Sequence, residues 1–286
     1  MNVTDQRIDA HLHLWDLSVS DYSWLTPAAG ELYATWTADQ AWAELSAAGI
    51  TDAVLVQAED SRADTRFLLD QARAYRWIRG VVGWVPLDDP AAAERDLDEW
   101  QREAVFCGVR HLINDDDRPD LLDRAAVRSS LRRLARRGLP FDLHDAWPRH
   151  LEQAVWVGRA VPDLVLVLDH LGKPPRARGD MDQWRAGLAE LARNPRVVAK
   201  LSGLDAAGAP FTVPALREIR DTALELFGAD RLMYGGDWPV TGGRLGYFRT
   251  WQVMGNLIAE LSPPEQDSLL ASTARRVYHL GETRPG

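Results

Sequence analysis

Cysteine is almost absent from the chain. Cys107 is the one cysteine in 286 residues, so no intramolecular disulfide can form. It lies in the stretch FCGV at residues 106–109, which is typical of a buried strand. The N-terminus lacks a basic stretch followed by an apolar run, the pattern of a secretory signal. These absences together predict a cytoplasmic protein that folds in a reducing compartment.

The chain also has no excess of positive charge and no long apolar run. Its 33 lysines and arginines are outnumbered by 42 aspartates and glutamates, which gives a net charge of −9. This balance argues against a nucleic-acid partner and against attraction to an anionic membrane surface. No stretch reaches the roughly 18 apolar residues of a membrane span. A small molecule is therefore the expected partner, and the composition leaves a homo-oligomer open.

What the sequence does contain is a series of short apolar runs rich in Val, Ile and Leu. Each run is followed by a longer segment with apolar residues at helical spacing, which predicts strands and helices alternating around a parallel sheet. Eight strands are predicted, at residues 7–11, 52–57, 78–85, 108–113, 140–144, 164–170, 197–202 and 231–237. Helices are predicted at residues 38–48, 63–75, 91–104, 126–137, 148–160, 181–193 and 214–227, and two more in the C-terminal part, at about 247–261 and 264–278.

This alternation predicts the α/β class and, within it, a (β/α)₈ TIM barrel. Such a barrel takes about 250 residues, and no linker divides residues 1–286, so one domain is expected. An open doubly wound sheet has the same alternation, but it favours a Gly-rich turn after the first strand, and that turn is missing. Gly49, Gly138 and Gly228 stand where helix C-caps are expected, just before the next strand.

Two histidines lie at the end of the first predicted strand. His11 and His13 are two residues apart on an extended chain, so both imidazoles point to the same side of the sheet. In a TIM barrel, functional side chains come from the carboxyl ends of the strands. The pair is therefore predicted to hold one metal ion or to orient one substrate.

His170 and Asp237 end two later strands. His170 follows the strongest apolar run of the chain, and Asp237 follows two glycines at the end of another. A buried carboxylate is costly unless it is paired or takes part in chemistry. Asp237 is therefore predicted to be a metal ligand, a general base or both. His170 is predicted to act with it, the alternative being a core histidine. Lys173, in the next loop, is predicted to bind substrate, the alternative being a solvated lysine.

Four more residues are predicted to bind substrate, each with a structural alternative: Arg110, His111, His144 and Trp15. Arg110 has a planar guanidinium that can bind a carboxylate or a lactone oxygen, but a structural salt bridge would also explain it. His111 and His144 are balanced between site and structural roles. Trp15 begins an aromatic segment, residues 15–37, that either packs on the barrel rim or covers the substrate.

Five motifs, in this order, resemble the amidohydrolase superfamily, and more narrowly its sugar-lactonase branch, which includes L-fuconolactonase and L-rhamnonolactonase-like proteins. They are residues 9–16 (DAHLHLWD), 108–112 (GVRHL), 169–174 (DHLGKP), 200–204 (KLSGL) and 236–240 (GDWPV). The resemblance runs from about residue 7 to about residue 280. It implies a distorted TIM barrel in which water attacks the carbonyl of a sugar-acid lactone, or of a related lactone from aromatic degradation. Carbohydrate metabolism is the implied context.

The resemblance also implies roles for single residues. His11 and His13 match the histidine pair of strand one, His170 matches the histidine of strand six, and Asp237 matches the aspartate of strand eight, the general base. Members with two metals carry a lysine at the end of strand four, where this chain has Arg110. One divalent ion is therefore implied at most, zinc first, with these four matched residues as its ligands. The branch also includes proteins that need no metal.

Two other functions are compatible with these residues. A metal-dependent decarboxylase of the same superfamily shares the His-x-His pair and the late aspartate. A catalytically silent barrel would bind a small ligand or a metal for sensing or scaffolding. The motifs at residues 169–174 and 200–204 favour the lactonase, and the four intact site residues argue against a silent barrel. The sequence leaves the particular lactone open.

Overall fold

The strands of this computed structural model pair side by side in the order of the chain. The structure describes residues 6–114, 116–177, 179–241 and 246–281. All seven strand pairings are parallel, as the alternation of strands and helices predicts. The strands are β1 (Ile8–Leu12), β2 (Asp52–Val56), β3 (Ile78–Gly83), β4 (Phe106–His111), β5 (Phe141–Leu143), β6 (Leu166–Leu168), β7 (Val197–Leu201) and β8 (Leu232–Tyr234).

The sheet closes on itself because the chain beyond β8 runs beside β1. The backbone N–H of His13 donates to the carbonyl of Trp238 at 2.8 Å, and that of Asp237 donates to the carbonyl of His11 at 2.8 Å. Register shifts interrupt the first three pairings. The fold is therefore a distorted (β/α)₈ TIM barrel, which confirms the predicted class and rules out the open sheet.

The helices begin and end within a few residues of the predicted positions. They are α1 (Ala38–Ala47), α2 (Arg62–Ala74), α3 (Pro90–Trp100), α4 (Ala125–Arg136), α5 (Leu151–Ala160), α6 (Met181–Ala192), α7 (Val213–Phe227), α8 (Tyr247–Ala259), α9 (Pro263–Asp267) and α10 (Thr273–Val277). Thr37 and Gln40 form a reciprocal capping box that starts α1. Gly49, Gly138 and Gly228 have φ values of 73°, 69° and 71°, which confirms the predicted caps.

Two predicted strands end before their site residues, and one predicted helix is divided. The strand predicted at residues 164–170 ends at Leu168, because Asp169–Gly172 forms a turn in which His170 and Leu171 are left-handed. The strand predicted at residues 231–237 likewise ends at Tyr234. The last predicted helix is divided into α9, a π-helical segment at Ser268–Ser272 and α10. In the first two cases the backbone leaves the sheet where the site residues begin.

Residues 15–37, the rim segment, fold against the barrel mouth. The backbones of Trp15 and Trp36 exchange hydrogen bonds of 3.3 and 2.9 Å, which close the segment into a loop. Trp15 and Tyr22 are fully buried in an apolar cluster of the segment, which also includes Leu25. The segment is therefore packed on the barrel rim in this structure, and the alternative that it covers the substrate stays a prediction.

The interior of the barrel and the layer between barrel and helices form two apolar clusters. The larger one packs the helices on the outer face of the sheet, for example Leu131 of α4 and Leu188 of α6. The smaller one fills the interior and includes Tyr278 from the C-terminal segment. No helix in the described ranges is both long and apolar enough to cross a membrane. The cytoplasmic location and the absence of a nucleic-acid partner stay predictions from composition.

Candidate active site

An irregularity in β1 aims His11 into the barrel. The pairing of β1 with β2 shifts register between Asp9 and Leu12. The Asp9 carboxylate accepts the backbone N–H groups of His11 at 2.9 Å and Gly236 at 2.8 Å, and the Tyr247 hydroxyl at 2.8 Å. A bulge of this kind redirects the side chain that follows it. Asp9 thus ties β1 to the chain after β8 at the level of the site.

His170 and Asp237 are both held in the left-handed backbone region, with φ values of 55° and 54°. This conformation is uncommon for residues other than glycine and is frequent at functional sites. Glycines make room for the histidines. A Cβ on Gly203 would collide with the His170 ring, and one on Gly235 would lie 2.6 Å from the Cβ of His11. Tight turns with glycine neighbours therefore bring the side chains of different strands together.

His11, His13, His170 and Asp237 meet at the carboxyl end of the barrel and are called the floor cluster. Asp237 Oδ1 lies 3.7 Å from His11 Nε2, 3.5 Å from His13 Nε2 and 3.7 Å from His170 Nε2. The Nε2 atoms of His11 and His13 are 3.0 Å apart. Thr241 donates its hydroxyl to Asp237 Oδ2 at 2.7 Å. One carboxylate oxygen therefore faces three imidazoles.

The outer ring nitrogen of each histidine has its own partner. His13 Nδ1 lies 2.8 Å from the Val56 carbonyl, so it carries the proton and leaves Nε2 unprotonated. His170 Nδ1 lies 2.8 Å from the Ser202 hydroxyl. His11 Nδ1 lies 3.2 Å from Asp169 Oδ1. These contacts fix the ring orientations and direct the Nε2 atoms of the floor cluster toward Asp237.

Burial sets the charge of the floor cluster. It lowers the pKa of His11 well below the usual value, and it also lowers the pKa of His13. Both rings are therefore neutral at neutral pH. Burial by itself would raise the pKa of Asp237, but His170, His13 and His11 outweigh it and hold that pKa well below the usual value. The site thus combines the ionised carboxylate of Asp237 with the neutral imidazoles of His11 and His13.

These donors fit a divalent metal ion. His11, His170 and Asp237 each offer a ligand atom within 4.8 Å of the others, and all three are buried. Neutral imidazole and carboxylate are the donors that zinc takes in catalytic sites. His13, a predicted fourth ligand, lies beside them, with its Nε2 3.0 Å from that of His11. The fit therefore includes three of the four predicted ligands, and the role of His13 as a ligand stays a prediction.

A buried group of ions lies beneath the floor cluster and is called the ion group: Lys200, Asp142 and Asp169. Lys200 Nζ lies 2.6 Å from Asp142 Oδ2, 2.9 Å from Asp169 Oδ1 and 3.1 Å from His11 Nδ1. Burial opposes the charge of Lys200, but the two aspartates outweigh it and raise its pKa. The Tyr278 hydroxyl donates to Asp142 at 2.7 Å. The ion group therefore supports His11 from below.

A pocket with about 530 Å³ of empty space, part of it open to solvent, lies above the floor cluster. His13, His170 and Asp237 form its floor. Its walls include Arg110, His144 and Lys173, all three predicted to bind substrate, together with Trp24 and Asp145. The structure thus brings the catalytic and most of the substrate-binding candidates into one pocket.

Two predicted substrate-binding residues lie elsewhere. His111 alternates with Arg110 along β4, and its Nε2 lies 3.2 Å from both Asp60 and Asp116. Trp15 is fully buried behind Trp24, with the two ring centres 5.5 Å apart. Neither His111 nor Trp15 is among the described residues that line the pocket. Their contact with substrate stays a prediction that this geometry does not support.

Sequence reasoning left several residues of the site without a role. Asp142, Asp169 and Lys200 did carry a signal, because each is a charged residue within or just after an apolar strand. The sequence gives no signal that Trp24 and Asp145 belong to the site, because a loop tryptophan and an aspartate after a histidine are ordinary features of a sequence. Asp145 is in the left-handed region, with φ of 34°, which only the folded chain reveals.

Comparison with known proteins agrees with this geometry. The sequence model of the amidohydrolase family matches residues 8–280. An L-fucono-1,5-lactonase of Burkholderia multivorans is 34% identical over 96% of this chain and 97% of its own length. An L-fucono-1,5-lactonase of Burkholderia ambifaria is 33% identical over 86% of this chain and 85% of its own length.

A solved structure shares the whole architecture. It is an amidohydrolase from Burkholderia multivorans with bound zinc, 32% identical in sequence, which superimposes with a TM-score of 0.87. The match covers 96% of this chain and 100% of the other. The similarity therefore extends over the barrel and the site at its mouth.

Proposed function

The chain belongs to the amidohydrolase family, and we propose that it hydrolyses a small lactone, with a sugar-acid lactone such as L-fucono-1,5-lactone as the first candidate. The observation that carries this proposal is the position of Asp237 Oδ1, within 3.7 Å of three imidazoles on the floor of the pocket. The two relatives named L-fucono-1,5-lactonase support the same reaction. Lactone opening requires a base for water and a polar surrounding for the carbonyl oxygen.

Asp237 is the general base of this proposal. Thr241 holds Oδ2, so Oδ1 is the oxygen available to take a proton from water. The water oxygen attacks the lactone carbonyl carbon, the bond from that carbon to the ring oxygen breaks, and the ring oxygen leaves as a hydroxyl with the proton that Asp237 took from water. The carboxylic acid formed then loses its proton to solvent. General-base help of this kind contributes roughly 10²- to 10⁴-fold to the rate.

The neighbours of Asp237 stabilise the negative charge on the carbonyl oxygen. His170 lies on the pocket floor beside Asp237, and Arg110 and Lys173 stand in the walls, where they orient the substrate. Preorganised donors in a buried site are effective because they need no rearrangement as the charge develops. His11, His170 and Asp237 would hold a metal ion, zinc as first choice, and His13 is the proposed fourth ligand. When bound, such an ion polarises the carbonyl and activates water.

The test is proton release by the purified protein on a panel of aldonolactones and dicarboxylic lactones, with and without a chelator. We expect turnover on at least one sugar-acid lactone, lost on chelation and restored by zinc or manganese. Turnover that is indifferent to chelation would leave the lactonase standing and overturn the metal requirement. The absence of turnover on every lactone would overturn the proposal, and release of CO₂ from an aromatic acid would then identify a decarboxylase.

A further inference from the structure

Part of the pocket wall is apolar. Trp24, Ala58 and Val240 line the pocket, and they pack in the apolar cluster of the rim segment that also holds Trp15 and Tyr22. They come from the rim segment, from the chain just after β2 and from the chain after β8. These three residues are called the apolar wall. Because imidazoles and a carboxylate form the floor, the pocket presents both carbon surface and polar groups to one ligand.

Trp24 is the largest side chain of the apolar wall, and its one polar atom already has a partner. Its indole Nε1 donates to the carbonyl of Ala58 at 2.6 Å. The rings of Trp24 and Trp15 pack edge to face, with their planes at 87°. The Trp24 side chain is half-buried, so part of it stays open to a ligand. Since an indole has no second hydrogen-bonding group, Trp24 offers that ligand carbon surface alone.

Two hydrogen bonds of the buried Asp64 hold Trp24 in place. The Tyr22 hydroxyl donates to Asp64 Oδ1 at 2.9 Å, and Asp64 Oδ2 accepts the backbone N–H of Ala58 at 3.0 Å. Tyr22 lies two residues before Trp24, and Ala58 is the residue whose carbonyl accepts the Trp24 indole N–H. Asp64 thus connects the chain beside Trp24 to the acceptor of its side chain. A side chain that is fixed before a ligand binds loses little conformational entropy on binding.

We propose, on the basis of the lactonase function above, that Trp24 is a substrate-binding residue and that Tyr22 is its positioning residue. The Trp24 ring packs against C–H groups of the bound lactone while the lactone carbonyl faces the floor cluster. An aromatic ring contributes a large apolar contact area for few rotatable bonds. Because the carbons it contacts do not react, the contact stabilises the bound substrate and the transition state equally, and its removal weakens binding without slowing the chemical step.

The first test is steady-state proton release by Trp24→Ala on the lactone that the unaltered protein hydrolyses best. We expect KM to rise roughly tenfold and kcat to change by less than about threefold, because loss of uniform binding raises KM alone. Trp24→Leu keeps apolar volume without the ring, and it is the second variant if the first does not fold. The matched control is Trp156→Ala, at a tryptophan of α5 that is 54% exposed, which should leave both values unchanged.

The second test is a double-mutant cycle between Tyr22 and Trp24. Tyr22→Phe removes the hydroxyl that donates to Asp64 and keeps the buried ring. We expect it to raise KM roughly three- to tenfold when Trp24 is present and to have almost no effect on KM in the Trp24→Ala background. A merely structural role of Tyr22 would raise KM by the same factor in both backgrounds. Thermal unfolding of each variant shows that the folded protein is compared.

The outcomes separate this inference from the proposed function. An unchanged KM in a folded Trp24 variant would overturn the substrate contact, and so would a loss that falls mainly on kcat, because it would place the defect at the floor cluster. Equal effects of Tyr22→Phe in the two backgrounds would overturn the positioning role. In each of these cases the lactonase function stands, since the unaltered protein hydrolyses the lactone. No turnover of any lactone by the unaltered protein would overturn the proposed function and this inference with it.

Discussion

Toward the start of its strands, the barrel interior is filled by apolar side chains such as Val54, Val167 and Met233. Toward the carboxyl ends, the same interior holds the ion group and the floor cluster, which are equally buried. The first region is stabilised by packing, to which each side chain contributes by its volume. The second is stabilised only while every charge keeps its partner.

Because of this difference, we expect a substitution in the first region to affect stability alone and one in the second region to affect both stability and activity. A change in the apolar region removes contacts and leaves a cavity, and we expect the site residues to keep their positions because they have hydrogen bonds of their own. A change in the charged region affects both, because Lys200 and Asp169 contact His11 directly. The comparison can therefore be tested by measuring unfolding and activity on the same variants, beginning with the change of largest expected effect.

Asp237→Asn should lower kcat by roughly 10²- to 10⁴-fold, because the amide cannot take the proton from water. Steady-state proton release on the best lactone measures the loss. Thermal unfolding of the variant serves as the control for folding. Near-normal turnover in a folded variant would mean that another group is the base.

Lys200→Met should lower the free energy of unfolding by about 3–5 kcal/mol. The substitution leaves Asp142 and Asp169 buried without their shared cation. Urea unfolding measures the stability, and the activity of the folded fraction should fall as well, since His11 loses its support. A stable and fully active variant would contradict the assigned role of the ion group.

Met233→Ala, in the apolar region, should lower the free energy of unfolding by about 2–5 kcal/mol through the cavity it creates. Met233 is fully buried. In contrast to Lys200→Met, we expect the folded fraction to keep its kcat. Loss of kcat at temperatures where the variant is folded would show that the two regions of the interior are coupled.

Asp169→Asn should weaken zinc binding by roughly 10- to 100-fold, because the carboxylate orients His11 through Nδ1. Isothermal titration of the metal-free protein with zinc measures the affinity. Asp163→Asn, on the surface, is the matched control and should bind zinc as the unaltered protein does. Equal affinities of the two variants would exclude an orienting role for Asp169.

His111→Asn should change kcat/KM by less than about threefold, the smallest effect in this series. The ring contacts Asp60, Asp116 and Trp84 and does not line the pocket. The same lactone assay provides the measurement, with unfolding as the control. A loss of tenfold or more without a change in stability would restore the substrate-binding role that the sequence predicts.

The sequence predicts the fold closely because its signals are local. Apolar runs, helical spacing and glycine caps depend on neighbouring residues, and all eight strands are found where these signals lie. Errors occur at the strand ends near His170 and Asp237, where left-handed turns replace the extended chain. Those turns are stabilised by contacts with other strands, which no local pattern records.

The candidate site likewise has a part that the sequence predicts and a part that it does not. The identity of His11, His13, His170 and Asp237 could be read from their positions at strand ends, because a parallel barrel brings all carboxyl ends to one face. The side chains that surround these four residues in the pocket could not be predicted from the sequence. Trp24 rather than Trp15 reaches the pocket, and Arg110 rather than His111 points inward.

By itself, the amino-acid sequence determined the order of strands and helices, the caps and the set of polar residues that the barrel gathers at its mouth. The tertiary structure alone decided which of them share a pocket, which charges pair beneath it and where Asp145 presents its carboxylate. The physical reason is the distance along the chain over which each kind of interaction acts. Hydrophobic periodicity and capping act within a few residues, whereas pocket lining and buried ion pairs join residues such as Lys200 and His11 that are 189 positions apart.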